Sequence, residues 1–231
     1  KLLTLSNSLG KIHVKDLVKK IEEINFKGKL NQTISGVSIT QLAENGTLYT
    51  PDEIVSISKV CKIHNLYLHM DGARFTNALV TQGISPAEAT WKVGVDCLSL
   101  GATKNGAMAA EIIVFFNKEL AREARCQIKQ TGHVISKTRF VTAQLNAWFK
   151  GGLWLKLAKT ANKNALYLRN KLSKFENFNL LFPTHGNEVF LEMNEHEYQK
   201  ILKLNIFPNL WRKSNNNRLV VRFVTSFETS I

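Results

Sequence analysis

The chain has 231 residues, with 31 Lys+Arg against 18 Asp+Glu, a formal charge of +13 and 44% hydrophobic residues. That hydrophobic fraction excludes wholesale disorder, and no apolar run approaches the roughly 20 residues that span a bilayer. Three scattered cysteines, Cys61, Cys97 and Cys126, make neither a CxxC pair nor an even framework, which argues against a disulfide scaffold or cysteine zinc site and for a reducing compartment, the cytoplasm.

In chain order, Val14–Ile24 carries Val14, Leu17, Val18, Ile21 and Ile24 at helical spacing. Gly36–Thr40 is short and β-branched, a strand. Thr50-Pro51-Asp52-Glu53 reads as a helix start, with Thr50 as cap, proline in the first turn and acids at the positive dipole end. That helix is expected to run to about His64 with Ile54, Ile57 and Cys61 buried. Leu66–Met70 reads as a strand. Ser85-Pro86-Ala87-Glu88 reads as a second helix start, with Glu88 in capping-box position. Val95–Leu100 and Glu111–Phe116 are two further strands. From Asn117 to Gly151-Gly152 the pattern is helical, and Trp154, Ala158, Ala161, Ala165, Leu168 and Leu172 define one long amphipathic helix. Short strands near Asn179–Phe182, Glu188–Met193 and Arg218–Thr225 follow, with a helix around Glu195–Leu204.

Strands spaced by helical segments imply crossover connections and a largely parallel sheet, with ligands at the carboxyl ends of the strands. The α+β pattern of the second half implies a smaller second domain, giving expected boundaries of 1–152 and 153–231. Charge is unequal between the halves: net +2 over residues 1–116 and net +11 over 117–231. A basic half can attract nucleic acid or an anionic surface. Here the aromatic spacing of RNA-binding motifs is missing, so solvated helix faces are the reading kept. A non-enzymatic nucleic-acid binder is the alternative from another class.

Two loops stand out by position: Asp71-Gly72-Ala73-Arg74 after the Leu66–Met70 strand, and Gly101-Ala102-Thr103-Lys104-Asn105-Gly106 after the Val95–Leu100 strand. Both open on the same edge of the sheet. The second lacks the GxxxxGK[ST] order of a phosphate-binding P-loop. A lysine amine that loses part of its solvation becomes a nucleophile toward carbonyls, and a carboxylate can hold a proton on a heterocyclic nitrogen. Together these are the needs of pyridoxal phosphate. Read from spacing alone, Asp71 as a helix cap, Lys104 as a surface lysine and Arg222 as a solvent-facing strand residue are the plainer alternatives.

The strings themselves go further. His69-Met70-Asp71-Gly72-Ala73-Arg74-Phe75 and Ser99-Leu100-Gly101-Ala102-Thr103-Lys104-Asn105-Gly106 resemble the low-specificity L-threonine aldolases of the β-eliminating lyase family. So do Gly46-Thr47-Leu48-Tyr49-Thr50-Pro51-Asp52-Glu53 and Val221-Arg222-Phe223-Val224-Thr225, in order across about Val37 to Thr225. The resemblance implies an aspartate-aminotransferase-type fold (fold type I), with a large domain on a mostly parallel sheet and a smaller α+β C-terminal domain. It implies pyridoxal 5'-phosphate as cofactor, Lys104 as the Schiff-base lysine and Asp71 as partner of the pyridine nitrogen. Arg74 would lie beside the cofactor and the substrate carboxylate, Arg222 would be the principal carboxylate clamp, and Thr103 would touch the phosphate. His133, Lys137 and Arg139 lie in a segment resembling the family's loop near a neighbouring subunit's cofactor. Gln41 could contact the ring, and His69 is read as a packed strand residue.

The activity implied is cleavage of L-threonine or L-allo-threonine to glycine and acetaldehyde in a homodimer or homotetramer, with no metal site, nucleic acid or membrane partner. Phenylserine cleavage or β-elimination on the same scaffold are the near alternatives. The family also places more chain before the equivalent of Lys1, with the first strands of the large domain, a phosphate-cradling loop and a histidine that stacks on the ring, and a last helix beyond Ile231. A fragment is therefore expected.

Overall fold

Two four-stranded sheets and one short hairpin organise the chain in its computed structural model, which describes residues 2–27, 33–214 and 216–230. Strands β1 (Asn7–Ser8) and β2 (Lys11–Ile12) pair as the hairpin. Helix α1 (Val14–Lys27) follows, then strand β3 (Gly36–Thr40) and helix α2 (Pro51–Ile63). The start of α2 is as the sequence reads. Thr50 Oγ1 accepts from the Glu53 N–H and Glu53 closes back on the Thr50 N–H, a reciprocal cap of about 1 kcal/mol. Ile54, Ile57 and Cys61 are each 1% exposed and form the face that α2 turns to the sheet.

Strand β4 (Tyr67–Gly72), helix α3 (Phe75–Gln82), strand β5 (Cys97–Gly101) and strand β6 (Glu111–Phe115) complete the first layer. The order is β3-β4-β5-β6. The first three strands are parallel, whereas β6 returns antiparallel to β5, because residues 102–110 are too few for a crossover helix. Alternation sorts the strands into two faces. Val37, Ile39, Leu68, Met70, Leu98 and Leu100 enter the core, while Ser38, His69, Asp71 and Ser99 share the opposite, polar face.

Three differences from the expected elements have physical causes. Ser85 and Glu88 do close on one another, but only turns and a 3-10 turn at Trp91–Val93 follow, ended by Gly94 at φ 93°. Helix α3 carries no capping residue in the sequence and its end has no side-chain cap; Phe75 and Leu79, one turn apart, pack it into the core under the sheet. Strand β9 (Asn209–Lys213) is an exposed edge with no apolar alternation to announce it.

Helices α4 (Lys118–Gln130) and α5 (Arg139–Phe149) lead to Gly151 and Gly152, both at positive φ, and then to the long α6 (Leu153–Leu172). Helix α6 is fastened to α3 by one buried amide. Asn162 Nδ2 donates to the Asn77 carbonyl and Thr81 Oγ1, both at 2.9 Å, and Asn162 Oδ1 accepts from Asn77 Nδ2 at 2.8 Å. The second sheet holds β7 (Asn179–Leu180), β8 (Glu188–Met193), β9 and β10 (Leu219–Val224) in the order β7-β8-β10-β9, all antiparallel. Helix α7 (Glu195–Lys203) connects β8 to β9.

Candidate active site

Because β4 and β5 are parallel neighbours, with Asp71 opposite Ser99 and Gly72 opposite Leu100, their carboxyl ends emerge together. The loops that follow touch. A Cβ added to Gly101 would lie 2.9 Å from the Ala73 Cα and 3.0 Å from the Ala73 carbonyl oxygen, so only glycine admits this approach. Asp71 is half-buried, and its Oδ1 accepts from the Ala73 N–H at 3.0 Å. No donor reaches its second oxygen among the described residues. The plainer reading of Asp71 as a helix cap fails, since the residue before α3 is Arg74 and that end takes no side-chain bond.

Lys104 stands exposed in a 3-10 turn, Thr103–Asn105, between two anchored neighbours. Thr103 Oγ1 accepts from the Ala110 N–H at 3.2 Å. Asn105 is buried, donates from Nδ2 to the Trp154 carbonyl at 2.9 Å and accepts the Trp148 indole N–H on its own carbonyl at 2.8 Å. The turn is thus held while the ammonium is unpaired among the described residues.

Across from these loops, β8 and β10 bring a carboxylate and an arginine together. Arg222 pairs with Phe190 in the ladder, which makes Glu188 its diagonal neighbour on one face. Glu188 Oε1 lies 3.1 Å from Arg222 Nη1 and 3.0 Å from Arg74 Nη2, and Glu44 Oε1 lies 3.6 Å from Arg222 Nη1. Arg74 Nε also donates to Asn187 Oδ1 at 3.2 Å. The β9–β10 ladder skips Trp211 at a bulge between Val220 and Val221, and the extra residue is aimed over Arg222, its ring centre 4.7 Å from the guanidinium carbon. Arg222 is therefore not a plain solvent-facing strand residue.

Two buried polar atoms at this junction have no partner among the described residues, Arg222 Nε and Glu188 Oε2. Burial pushes the Glu188 carboxyl up, against the charges of Arg74 and Arg222 that favour its ionised form; Glu44 adds to the rise and the Lys104 ammonium opposes it.

The remaining candidates divide. Gln41 is buried and spends its amide on Tyr49, accepting from the Tyr49 N–H and donating to its carbonyl, both at 2.9 Å. It is a latch for the 41–49 loop in this structure. His69 is packed as expected, its ring bonded to Ser38 Oγ at 2.8 Å and Ser99 Oγ at 2.9 Å. Burial lowers its pKa, against the opposing charge of Asp71. His133 and Lys137 are exposed on the α4–α5 connection, and Arg139, also exposed, opens α5. Sequence reasoning missed Glu188, Asn187, Glu44 and Trp211. The one signal was Glu188 itself, an acid opening the apolar strand Val189-Phe190-Leu191, where a buried carboxylate needs a cation.

An aldehyde cofactor with a basic ring nitrogen needs an amine, a carboxylate and cations at one place. The unpaired Lys104, the uncommitted oxygen of Asp71 and the orphaned donor of Arg222 meet that description, so the residues fit pyridoxal phosphate.

Comparison with known proteins places the chain. The family model described as beta-eliminating lyase matches residues 1–196. The low specificity L-threonine aldolase of Pseudomonas aeruginosa is 40% identical over 199 residues, covering 84% of this chain and 56% of that protein. The enzyme of the same description from Pseudomonas sp. strain NCIMB 10558 is 41% identical over the same extent. The chain thus spans about half the length of the curated relatives it matches. The solved structure of Leishmania major threonine aldolase superposes with a TM-score of 0.88 at 28% identity, covering 100% of this chain and 66% of that one. The shared architecture is fold type I of the pyridoxal-phosphate enzymes, and with most of its length matched by the family model, this chain belongs to the beta-eliminating lyases.

Proposed function

We propose that the protein to which this chain belongs is a pyridoxal-phosphate-dependent carbon–carbon lyase that cleaves L-threonine or L-allo-threonine to glycine and acetaldehyde. The observation supporting this reading is that the adjacent loops after β4 and β5 carry Asp71, Arg74 and Lys104, and that Glu188 joins Arg74 to Arg222 of the second sheet. The relatives named low specificity L-threonine aldolase support the substrate class. When bound, the cofactor supplies an electron-withdrawing ring conjugated to the substrate amine.

The chain's own residues do the rest. Lys104 is the amine that anchors the aldehyde. Asp71 keeps a proton on the ring nitrogen through a charge-assisted bond from the carboxyl end of β4. Arg222, with Arg74 beside it, would grip the substrate carboxylate through charge-assisted bonds and so fix the orientation in which the substrate is held. Thr103, whose hydroxyl is held by Ala110, lies one residue from Lys104 and is a candidate phosphate contact. A homodimer or homotetramer is part of the proposal, supported by the exposed apolar Val134, Ile135 and Phe140 beside His133, Lys137 and Arg139. No helix among the described residues is long and apolar enough to cross a membrane; a cytoplasmic setting is proposed from the free, scattered cysteines.

The test is Lys104→Ala in the full-length protein. The absorbance band at about 420 nm, given by the cofactor when covalently joined to a lysine, should vanish together with acetaldehyde release from L-threonine. A variant that keeps both would sink the assignment.

A further inference from the structure

We propose that Glu188 is a positioning residue for the carboxylate clamp: by holding Arg222 Nη1 and Arg74 Nη2 on one oxygen, it fixes which edge of Arg222 is left for the substrate. The inference rests on the reading of Arg222 as the clamp.

Three observations lead there. First, the side chain is 0% exposed, yet it lies between two arginines and within the field of Lys104. A carboxylate buried this completely is costly unless its partners need it. Second, its bonds are divided unevenly. Oε1 takes both guanidinium contacts while Oε2 takes none among the described residues. Two cations on one oxygen fix the separation of Arg74 and Arg222, which would otherwise repel.

Third, the contacts to Arg222 leave a defined remainder. Nη1 is committed to Glu188 and faces Glu44, and Trp211 covers one face of the guanidinium. Nε is buried with no acceptor. The edge without a protein partner is thus Nε–Nη2, the side-on fork that matches a carboxylate through two bonds. Arg74 shows the reverse commitment, its Nε and Nη2 held by Asn187 and Glu188. Of the two arginines, only Arg222 presents that fork uncommitted. Glu188 therefore decides that the substrate carboxylate meets Arg222 side-on, with Arg74 supporting from beyond.

The experiment uses the full-length holoenzyme and compares Glu188→Gln, which keeps an acceptor oxygen and the shape, with Glu188→Leu, which keeps neither acceptor nor charge. Glycine binding by calorimetry and KM and kcat for L-threonine are measured in each, with the band at about 420 nm confirming that cofactor is loaded. Glu188→Leu should weaken glycine binding and raise KM by roughly tenfold to a hundredfold, the loss expected when charged hydrogen bonds no longer hold a guanidinium in place. Glu188→Gln, which trades the charge for a neutral acceptor, should recover only part of that loss and leave KM raised by roughly threefold to tenfold, and kcat should change less than about threefold in both, since bound substrate meets the same reacting groups. If Glu188→Leu does not fold, Glu188→Gln still decides: an altered kcat with unchanged KM and glycine affinity overturns the proposal. Loaded variants with wild-type glycine affinity and KM overturn it too. A wild-type protein without the band or the cleavage would instead overturn the aldolase reading on which it stands.

Discussion

Gly101 and Ala73 are in backbone contact, and through them the loop that carries Asp71 rests directly on the loop that carries Lys104. The spacing of the two loops is therefore set by main chain rather than by flexible side-chain packing. A methyl group at position 101 would come within 2.9 Å of the Ala73 Cα and within 3.1 Å of Glu111 Oε2. Backbone atoms cannot rotate away, so the loops must part. Gly101→Ala should cost about 1–3 kcal/mol in urea unfolding, as overpacking does. It should also lower the cofactor retained after dialysis. A variant with the wild-type midpoint and full retention would show that the loops are not coupled in this way.

Asn105 makes the complementary contribution from the far side of Lys104. Its amide donates to Trp154 and its carbonyl accepts from Trp148, so the turn is fixed to both α5 and α6. Asn105→Ala removes the first bond and leaves the Trp154 carbonyl, at the start of α6, without that donor. The expected destabilisation is about 1–3 kcal/mol. Because the lost bond also orients the neighbouring lysine, kcat should fall further than stability alone would require, checked by assaying at a temperature where the variant is fully folded. Equal kcat in variant and wild type would restrict Asn105 to a structural role.

How much of this could be read in advance depends on the range of the interaction. The strand Gly36–Thr40, the cap at Thr50, the long helix from Leu153 and the loops at Asp71 and Lys104 were all legible, because each is written in consecutive residues. The Glu188 cluster was not. Arg74 and Asn187 are 113 positions apart, and Arg222 and Glu188 are 34 apart; no local pattern reports such a meeting. Likewise Ser85 and Glu88 formed the reciprocal bonds their spacing implies, yet no α-helix grew from them. A cap starts a helix only where an apolar face follows to be buried. Trp211 gave no signal because its placement depends on a bulge, a departure from the alternation that sequence reading assumes.

That bulge supports a third expectation. With the indole 4.7 Å from the Arg222 guanidinium and set edge-on against Phe190, Trp211 holds the arginine flat as well as in place. Trp211→Ala removes a cation–π contact of about 1 kcal/mol and frees a rotatable side chain. KM for L-threonine should rise by roughly threefold to tenfold, as that energy implies, with the cofactor band unchanged. Trp211→Phe should recover part of the effect. An unchanged KM in Trp211→Ala would mean that the stack contributes nothing to substrate capture.

The core under α2 should make the fold sensitive to alkali. Burial, and secondarily the charge of Asp96, push the Cys61 thiol up from its usual 9.0 to about 11. Burial also raises Tyr49, opposed by the bond from the Ile12 N–H to its hydroxyl and helped by the charge of Glu53. Both groups are thus raised in the folded state, and their contribution is fully present below the values of the unfolded chain. Above pH 9 the unfolded chain loses the thiol proton first while the native protein keeps it, so stability falls as pH climbs toward 11. For Cys61 alone the loss approaches about 3 kcal/mol, at 1.36 kcal/mol per unit. Urea midpoints at successive pH values should fall steadily over this range, and the fall should be shallower in Cys61→Ala, which has no thiol to ionise. At pH 8 a thiol reagent should modify the exposed Cys126 while the buried Cys61 reacts only on unfolding. Equal pH slopes for wild type and Cys61→Ala would show that the buried thiol ionises without cost.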